Sequence, residues 1–160
     1  MRRLSVAALA TVLVGAASNA VAQQPLRAPT DNELRASYCL GYLGESTKQL
    51  AAGIARMDET TLPDTRALFT AAKKLQDENK LRLAAYISSR LEYIDPTSMM
   101  IARRRGQGAL ESREQEFNAC LATCPPPREL GDFEACGKKC SGGELADRIQ
   151  QCRNLSWLPF

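Results

Sequence analysis

Apolar side chains recur every three or four positions along most of this chain, the period of helices that turn one face inward. Thr30-Asp31-Asn32-Glu33 fits a capping box, with Thr30 as N-cap and Glu33 three residues on. Leu34, Tyr38, Cys39, Leu43, Leu50, Ile54 and Met57 follow at helical spacing and predict a helix over about 31–57. Gly41, Gly44 and Gly53 weaken it, each by up to about 1 kcal/mol relative to alanine, but a glycine row also lets another helix pack close. Pro63 suits the first turn of a second helix. Leu68, Ala72, Leu75, Leu83, Ile87, Leu91 and Ile94 mark its apolar stripe, over about 64–94. Asn79 falls in that stripe, as a buried polar group or a stripe edge. The length predicts a bend or break near Asp77 to Lys80.

Asp95-Pro96 ends that helix and starts the next, with Asp95 as N-cap and Pro96 at the first position. Gly106-Gln107-Gly108 is expected to interrupt it before Leu110, Phe117 and Leu121 resume an apolar face. Pro125-Pro126-Pro127 must stop it, because proline lacks the amide donor and clashes with the preceding turn. Short helices over about 129–140 and 144–153 complete the chain, with a turn at Ser141-Gly142-Gly143. There is no alternating strand pattern, repeat or low-complexity linker, so the expected fold is all-α.

The first residues change the picture. Arg2 and Arg3, an apolar run from Leu4 to Ala17, and Ala20-Val21-Ala22 follow the plan of a secretory signal peptide. Cleavage after Ala22 leaves 138 of the 160 residues, with a flexible leader over 23–29 and a single helical domain over 30–160. The expected location is exported, periplasmic or secreted, with no transmembrane segment after cleavage. Losing Arg2 and Arg3 leaves 19 basic residues against 18 acidic, which argues against broad electrostatic binding of nucleic acid. The chain has no histidine, which removes Ser-His-Asp and Cys-His catalysis and histidine-ligated metal sites.

All six cysteines lie in the mature part, and an even number in an exported chain implies disulfides. Cys120/Cys124 and Cys136/Cys140 are two Cys-x3-Cys pairs with eleven residues between them. Residues four apart share a helix face. Two antiparallel helices would therefore pair Cys120 with Cys140 and Cys124 with Cys136. Cys39 and Cys152 are left over, and their pairing would tie the first helix to the last. A four-cysteine zinc site would favour Cys-x2-Cys knuckles and reduced thiols, and a catalytic disulfide would favour Cys-x-x-Cys at a helix start. Structural staples fit better than either, so no metal and no cofactor are expected.

The segment from Cys120 to Cys140 resembles the twin Cys-x3-Cys helical-hairpin proteins, such as the small chaperones of the mitochondrial intermembrane space. The resemblance implies the hairpin shape and no chaperone activity. Tyr38 to Glu45, YCLGYLGE, is similar to a segment of the Tai-type periplasmic immunity proteins, which guard against secreted amidases.

Outside the cysteines the candidates are few. Arg103-Arg104-Arg105 is the densest charge run, either a binding patch or a solvated helix end suited to the helix dipole. Met99-Met100 reads as core packing rather than a soft-metal site. The tail NLSWLPF, with Trp157 and Phe160, is a docking peptide or an apolar segment folded back over the helices; the second is expected. Asp77/Glu78 and Glu114/Glu116 lie on polar faces, with no residue pattern that would make them acid–base pairs. No catalytic residue is assigned. The expected function is non-enzymatic binding of an unknown protein partner in the cell envelope. The alternatives are a small carboxylate-dependent envelope enzyme, or an envelope-surface structural protein that contacts lipid.

Overall fold

Glu33 organises the start of the fold. In this computed structural model, which describes residues 25–58, 62–124 and 130–159, helix α1 spans Asp31–Arg56 and opens on the expected capping box. The Thr30 amide donates to the Glu33 carboxylate at 2.7 Å, and the Glu33 amide donates back to the Thr30 hydroxyl at 3.4 Å. The Glu33 side chain is buried, and Arg27 meets it with two guanidinium hydrogen bonds of 2.8 and 2.5 Å. Arg90, beyond the second helix, stands 3.8 Å from the same carboxylate. Within the described part of the leader, backbone hydrogen bonds hold Arg27 as well. The Arg27 amide donates to the Tyr93 carbonyl and its own carbonyl accepts from Asp95, both at 2.9 Å. Gln23 and Gln24 lie outside the described residues, as do the signal segment 1–22, Pro125-Pro126-Pro127 and Phe160.

Helix α2 runs Pro63–Ser88 without a break at Asp77 to Lys80. Lys73 and Lys80 both pair with Asp77, at 2.7 and 2.9 Å, and such i, i+3 and i, i+4 pairs support the helix where a bend was expected. The helix ends six residues earlier than its stripe predicts. The Ser89 hydroxyl and the Arg90 guanidinium both donate to the Tyr86 carbonyl, at 3.0 and 2.9 Å, and so compete with backbone donors at the last turn. A 3-10 turn over Leu91–Tyr93 then delivers Ile94, fully buried, to the core. Leu68 and Leu75 of α2 and Leu91 beyond it are exposed; the main packing of α2 among the described residues is against α1. Asn79 is a buried polar group, donating to the Arg153 carbonyl at 3.1 Å.

Helix α3 runs Pro96–Ala122 straight through Gly106-Gln107-Gly108. The cause is tertiary. A Cβ on Gly106 would collide with the Tyr38 carbonyl of α1, and a Cβ on Gly41 would collide with the Arg103 carbonyl of α3. The two backbones touch through the two glycines, and packing on both sides outweighs the poor helix propensity. The buried Ser37 hydroxyl, donating 2.6 Å to the Met99 carbonyl, extends the same contact. Met99 is core, whereas Met100 is about half exposed. Gly44 and Gly108 face open space and take no part.

Helix α4 (Leu130–Cys140) returns beside the end of α3, and α5 (Glu144–Arg153) packs on α1 and α3. The bridges are Cys120–Cys140, Cys124–Cys136 and Cys39–Cys152, and no cysteine is free. Outer pairs with outer and inner with inner, the pairing an antiparallel hairpin requires. Arg113 of α3 donates to the Cys140 and Ser141 carbonyls at 3.1 and 2.6 Å and so closes the end of α4. The tail folds back: Leu155 and Leu158 are buried, and Trp157 donates from its indole nitrogen to the Gln151 carbonyl at 2.9 Å. The chain is thus a small, disulfide-stapled, all-α protein. No helix among the described residues is long and apolar enough to cross a membrane.

Two predictions follow from this packing. Gly106→Ala forces a methyl into the Tyr38 carbonyl and should cost about 3 kcal/mol or more, at the upper end for overpacking. Gly108→Ala, two residues on and facing open space, should instead gain roughly 0.5–1 kcal/mol. Urea unfolding of the two variants checks the contrast, and equal effects would refute the crossing.

Glu33 makes stability depend on acid. The hydrogen bond from Arg27, then those from Thr30, hold its carboxyl down at about 2 against an ordinary 4.5, in spite of burial. A depressed carboxyl stabilises the fold above its unfolded value and loses that contribution as pH falls through the folded one. Stability should therefore drop between about pH 4.5 and 2, by up to about 3 kcal/mol from this group, reduced by solvent screening of the exposed Arg27. Urea midpoints from pH 7 to 2 should fall less steeply in Glu33→Gln than in the parent protein.

Candidate binding groove between three helices

The glycine crossing brings the middle of α1 against the middle of α3, and Cys39–Cys152 brings α5 alongside both. The three helices do not close completely. Between them lie two cavities of about 690 and 500 Å³. Tyr38, Arg105, Glu144 and Arg148 line both, so the two are lobes of one groove with these four residues at its waist.

One wall is a single face of α3. Ser98, Ile101, Ala102 and Arg105 border the larger lobe, and Arg105, Gly108, Ala109, Ser112 and Glu116 the smaller. These residues recur at three- and four-residue steps over 18 positions, about 27 Å at 1.5 Å per residue. Leu34, Arg35 and Tyr38 contribute from α1, within four residues of one another. The first turns of α5 form the opposite wall with Glu144, Leu145, Asp147 and Arg148. That helix starts after Gly143, whose φ of +110° is a conformation only glycine adopts readily.

Three features set the chemistry. First, the larger lobe is apolar at Leu34, Ile101 and Ala102, and Ile101 is about half exposed there. Second, the Tyr38 hydroxyl is sealed from solvent and has no hydrogen-bond partner among the described residues. Burial pushes its phenol above the ordinary range, so the hydroxyl remains a proton donor at neutral pH. Third, the guanidiniums differ in their partners. Arg148 pairs with Glu144 one turn earlier, and Arg35 lies 5.2 Å over the Trp157 ring. No ion pair joins Arg105 to any described residue.

The sequence candidates divide accordingly. Arg105 lines both lobes, while Arg103 and Arg104 are exposed and line neither. All three lie within α3 rather than at a helix end, so the helix dipole does not account for them. Trp157 acts at one remove, by holding Arg35. Phe160 lies outside the described residues. Tyr38 opens the YCLGYLGE segment and Arg148 belongs to no sequence motif, but one signal points to both. Tyr38 adjoins Cys39, and Arg148 sits one turn before Cys152, so the Cys39–Cys152 bond brings them together.

The carboxyls displaced from their ordinary range, Glu33, Asp77 and Asp95, are all held low and all lie elsewhere. Lys73 and then Lys80 hold Asp77 down, and the Thr97 amide holds Asp95 down. At the hairpin, the sulfurs of Cys124, Cys136 and Cys140 lie within 4.8 Å of one another. They are committed to disulfides and so are not thiolate ligands.

Comparison with protein-family models, with curated proteins and with solved structures finds no match to this chain.

A buried hydroxyl without a partner is a cost that its removal relieves. Tyr38→Phe should leave the fold intact and raise its stability by up to about 1 kcal/mol, read by urea unfolding. A loss of 1 kcal/mol or more would mean that the hydroxyl has an acceptor in the resting protein.

Proposed function

We propose that this is an exported, non-enzymatic, disulfide-stabilised helical protein that binds another protein of the cell envelope through the groove. The observation that carries the reading is the waist: an unpaired Arg105 and an unmet Tyr38 donor, beside an apolar lobe, on a cross-linked frame. Concave sites lined by apolar groups with a few convergent polar ones are where ligands bind. The 27 Å length suits a stretch of polypeptide better than a small metabolite. Export is supported by the signal-like N-terminus and by cysteines that pair completely. The lack of histidine, together with carboxyls displaced only downward, supports a binding role over catalysis.

A second reading has one observation in its favour. Met100 and Ile101, both about half exposed, stand one turn before Arg104 and Arg105, which makes a joined apolar and basic strip on α3. Such a strip is suited to an anionic lipid surface.

Photo-crosslinking in the native envelope fraction separates the two. A crosslinker in place of Ile101 should yield an adduct with one discrete protein, whereas one in place of Leu81, exposed on α2, should not. Arg105→Glu should weaken that adduct about tenfold, the equivalent of 1.4 kcal/mol. Adducts only with lipid would favour the second reading, and equal adducts at both positions would remove the groove as the site.

A further inference from the structure

We propose that the groove takes an extended segment of its partner in which an apolar side chain and a carboxylate stand two positions apart. This rests on the binding reading above and adds the chemistry of the occupant. In the larger lobe three guanidiniums, Arg35, Arg105 and Arg148, face two carboxylates, Glu144 and Asp147. One positive charge is left over. Arg148 pairs with Glu144, and the Trp157 ring holds Arg35 in place without neutralising it, so Arg105 is the guanidinium of this lobe that no ion pair or ring contact engages among the described residues. The Tyr38 hydroxyl adds a donor at the same waist that also lacks an acceptor. The waist therefore has donors and positive charge in excess, and what completes it is an anionic acceptor, for which a carboxylate has the planar geometry that arginine pairs with. The smaller lobe, with Arg105 and Arg148 against Glu116 and Glu144, is balanced and does not ask for a second anion.

Spacing sets the rest. Ile101 and Arg105 are four residues apart on one face of α3, about 6 Å along the axis. In an extended chain, side chains i and i+2 point the same way and stand about 6.6 Å apart. An apolar side chain over Ile101 and Leu34 thus places a carboxylate two residues away beside Arg105. The side chain between them points out of the groove and is free to vary.

The test is titration of the exported, oxidised protein, labelled with 15N, by three capped pentapeptides. Ala-Leu-Ala-Glu-Ala carries both features, Ala-Leu-Ala-Gln-Ala lacks the charge, and Ala-Ala-Ala-Glu-Ala lacks the apolar side chain. The first should give saturable shifts centred on the amides of Tyr38, Ile101 and Arg105. It should bind about tenfold more tightly than either of the others. In Arg105→Gln, at an exposed position where folding is not at stake, the preference for glutamate over glutamine should vanish. In Ile101→Ser the two leucine peptides should weaken together. Equal binding of the Glu and Gln peptides by the parent protein overturns the proposal, as does a preference that survives Arg105→Gln. Inorganic phosphate that displaces the first peptide at lower concentration would assign the waist to a free anion and also overturn it. A protein adduct at Ile101 without peptide discrimination would keep the binding reading and sink only the carboxylate.

Discussion

The closest approach in the molecule is backbone on backbone. Gly41 lies against the Arg103 carbonyl and Gly106 against the Tyr38 carbonyl, so α1 and α3 cross with no side chain between them at that point. Everything else is arranged around this contact. It brings the Ser37 hydroxyl within reach of the Met99 carbonyl, seats Met99 and Ala109 in the core, and sets Tyr38 beside the residue that follows Arg104. A contact of this kind is intolerant in a particular way. A missing methylene elsewhere in a core leaves a cavity that neighbours partly fill, but an added methyl here meets a carbonyl on each side and has nowhere to go. Two glycines that cost helix propensity one at a time thus specify where the two longest-packed helices meet.

The disulfides act on a different scale. Cys39–Cys152 joins residues 113 apart in sequence and ties the last helix to the first. In the chain-entropy model a closure of that length is worth up to about 4.7 kcal/mol, against about 3 kcal/mol for a short loop such as that of Cys124–Cys136. The long bridge is also the one that builds the groove, since α5 is one of its walls. The two short bridges hold α4 to the end of α3, away from the waist. The leader from Pro25 to Thr30 and the turn from Arg90 to Tyr93 are drawn together separately by Glu33, which serves Arg27, Thr30 and Arg90 at once. A buried carboxylate with this many donors is stable only because each is present, and removing one leaves a buried charge short of partners.

The elements with local signatures were legible in the chain: the Thr30/Glu33 capping box, Asp95-Pro96 at the head of α3, and cysteines four apart on facing helices. The differences arise where a distant group decides. Gly106-Gln107-Gly108 reads as a break because propensity is a local quantity, while the carbonyl that stabilises the helix there belongs to α1. The end of α2 is set by the Ser89 and Arg90 side chains, which periodicity does not register. Leu68 and Leu75 have core spacing but are exposed, because the main packing of α2 among the described residues is against α1. Of the groove, Arg105 stood out by charge alone. Tyr38, Glu144 and Arg148 are ordinary residues whose proximity depends on the long disulfide.

That wall of the groove is unevenly held, and this bears on how a segment could enter. The C-terminal end of α5 is fixed by Cys152, by Asn79 donating to the Arg153 carbonyl, by the Arg153 guanidinium donating to the Tyr42 hydroxyl at 3.4 Å, and by Trp157 on the Gln151 carbonyl. Its N-terminal end has no side-chain cap and follows Gly142-Gly143. Leu145 packs against the core near that end, and the Arg113 hydrogen bonds to the Cys140 and Ser141 carbonyls lie on the far side of the two glycines. The Glu144–Arg148 pair is exposed and one turn apart within α5, so it adds no tie from that end to another helix. Of the residues at the waist, Arg105 and Arg148 are exposed, whereas the Tyr38 hydroxyl is sealed from solvent and has no acceptor among the described residues.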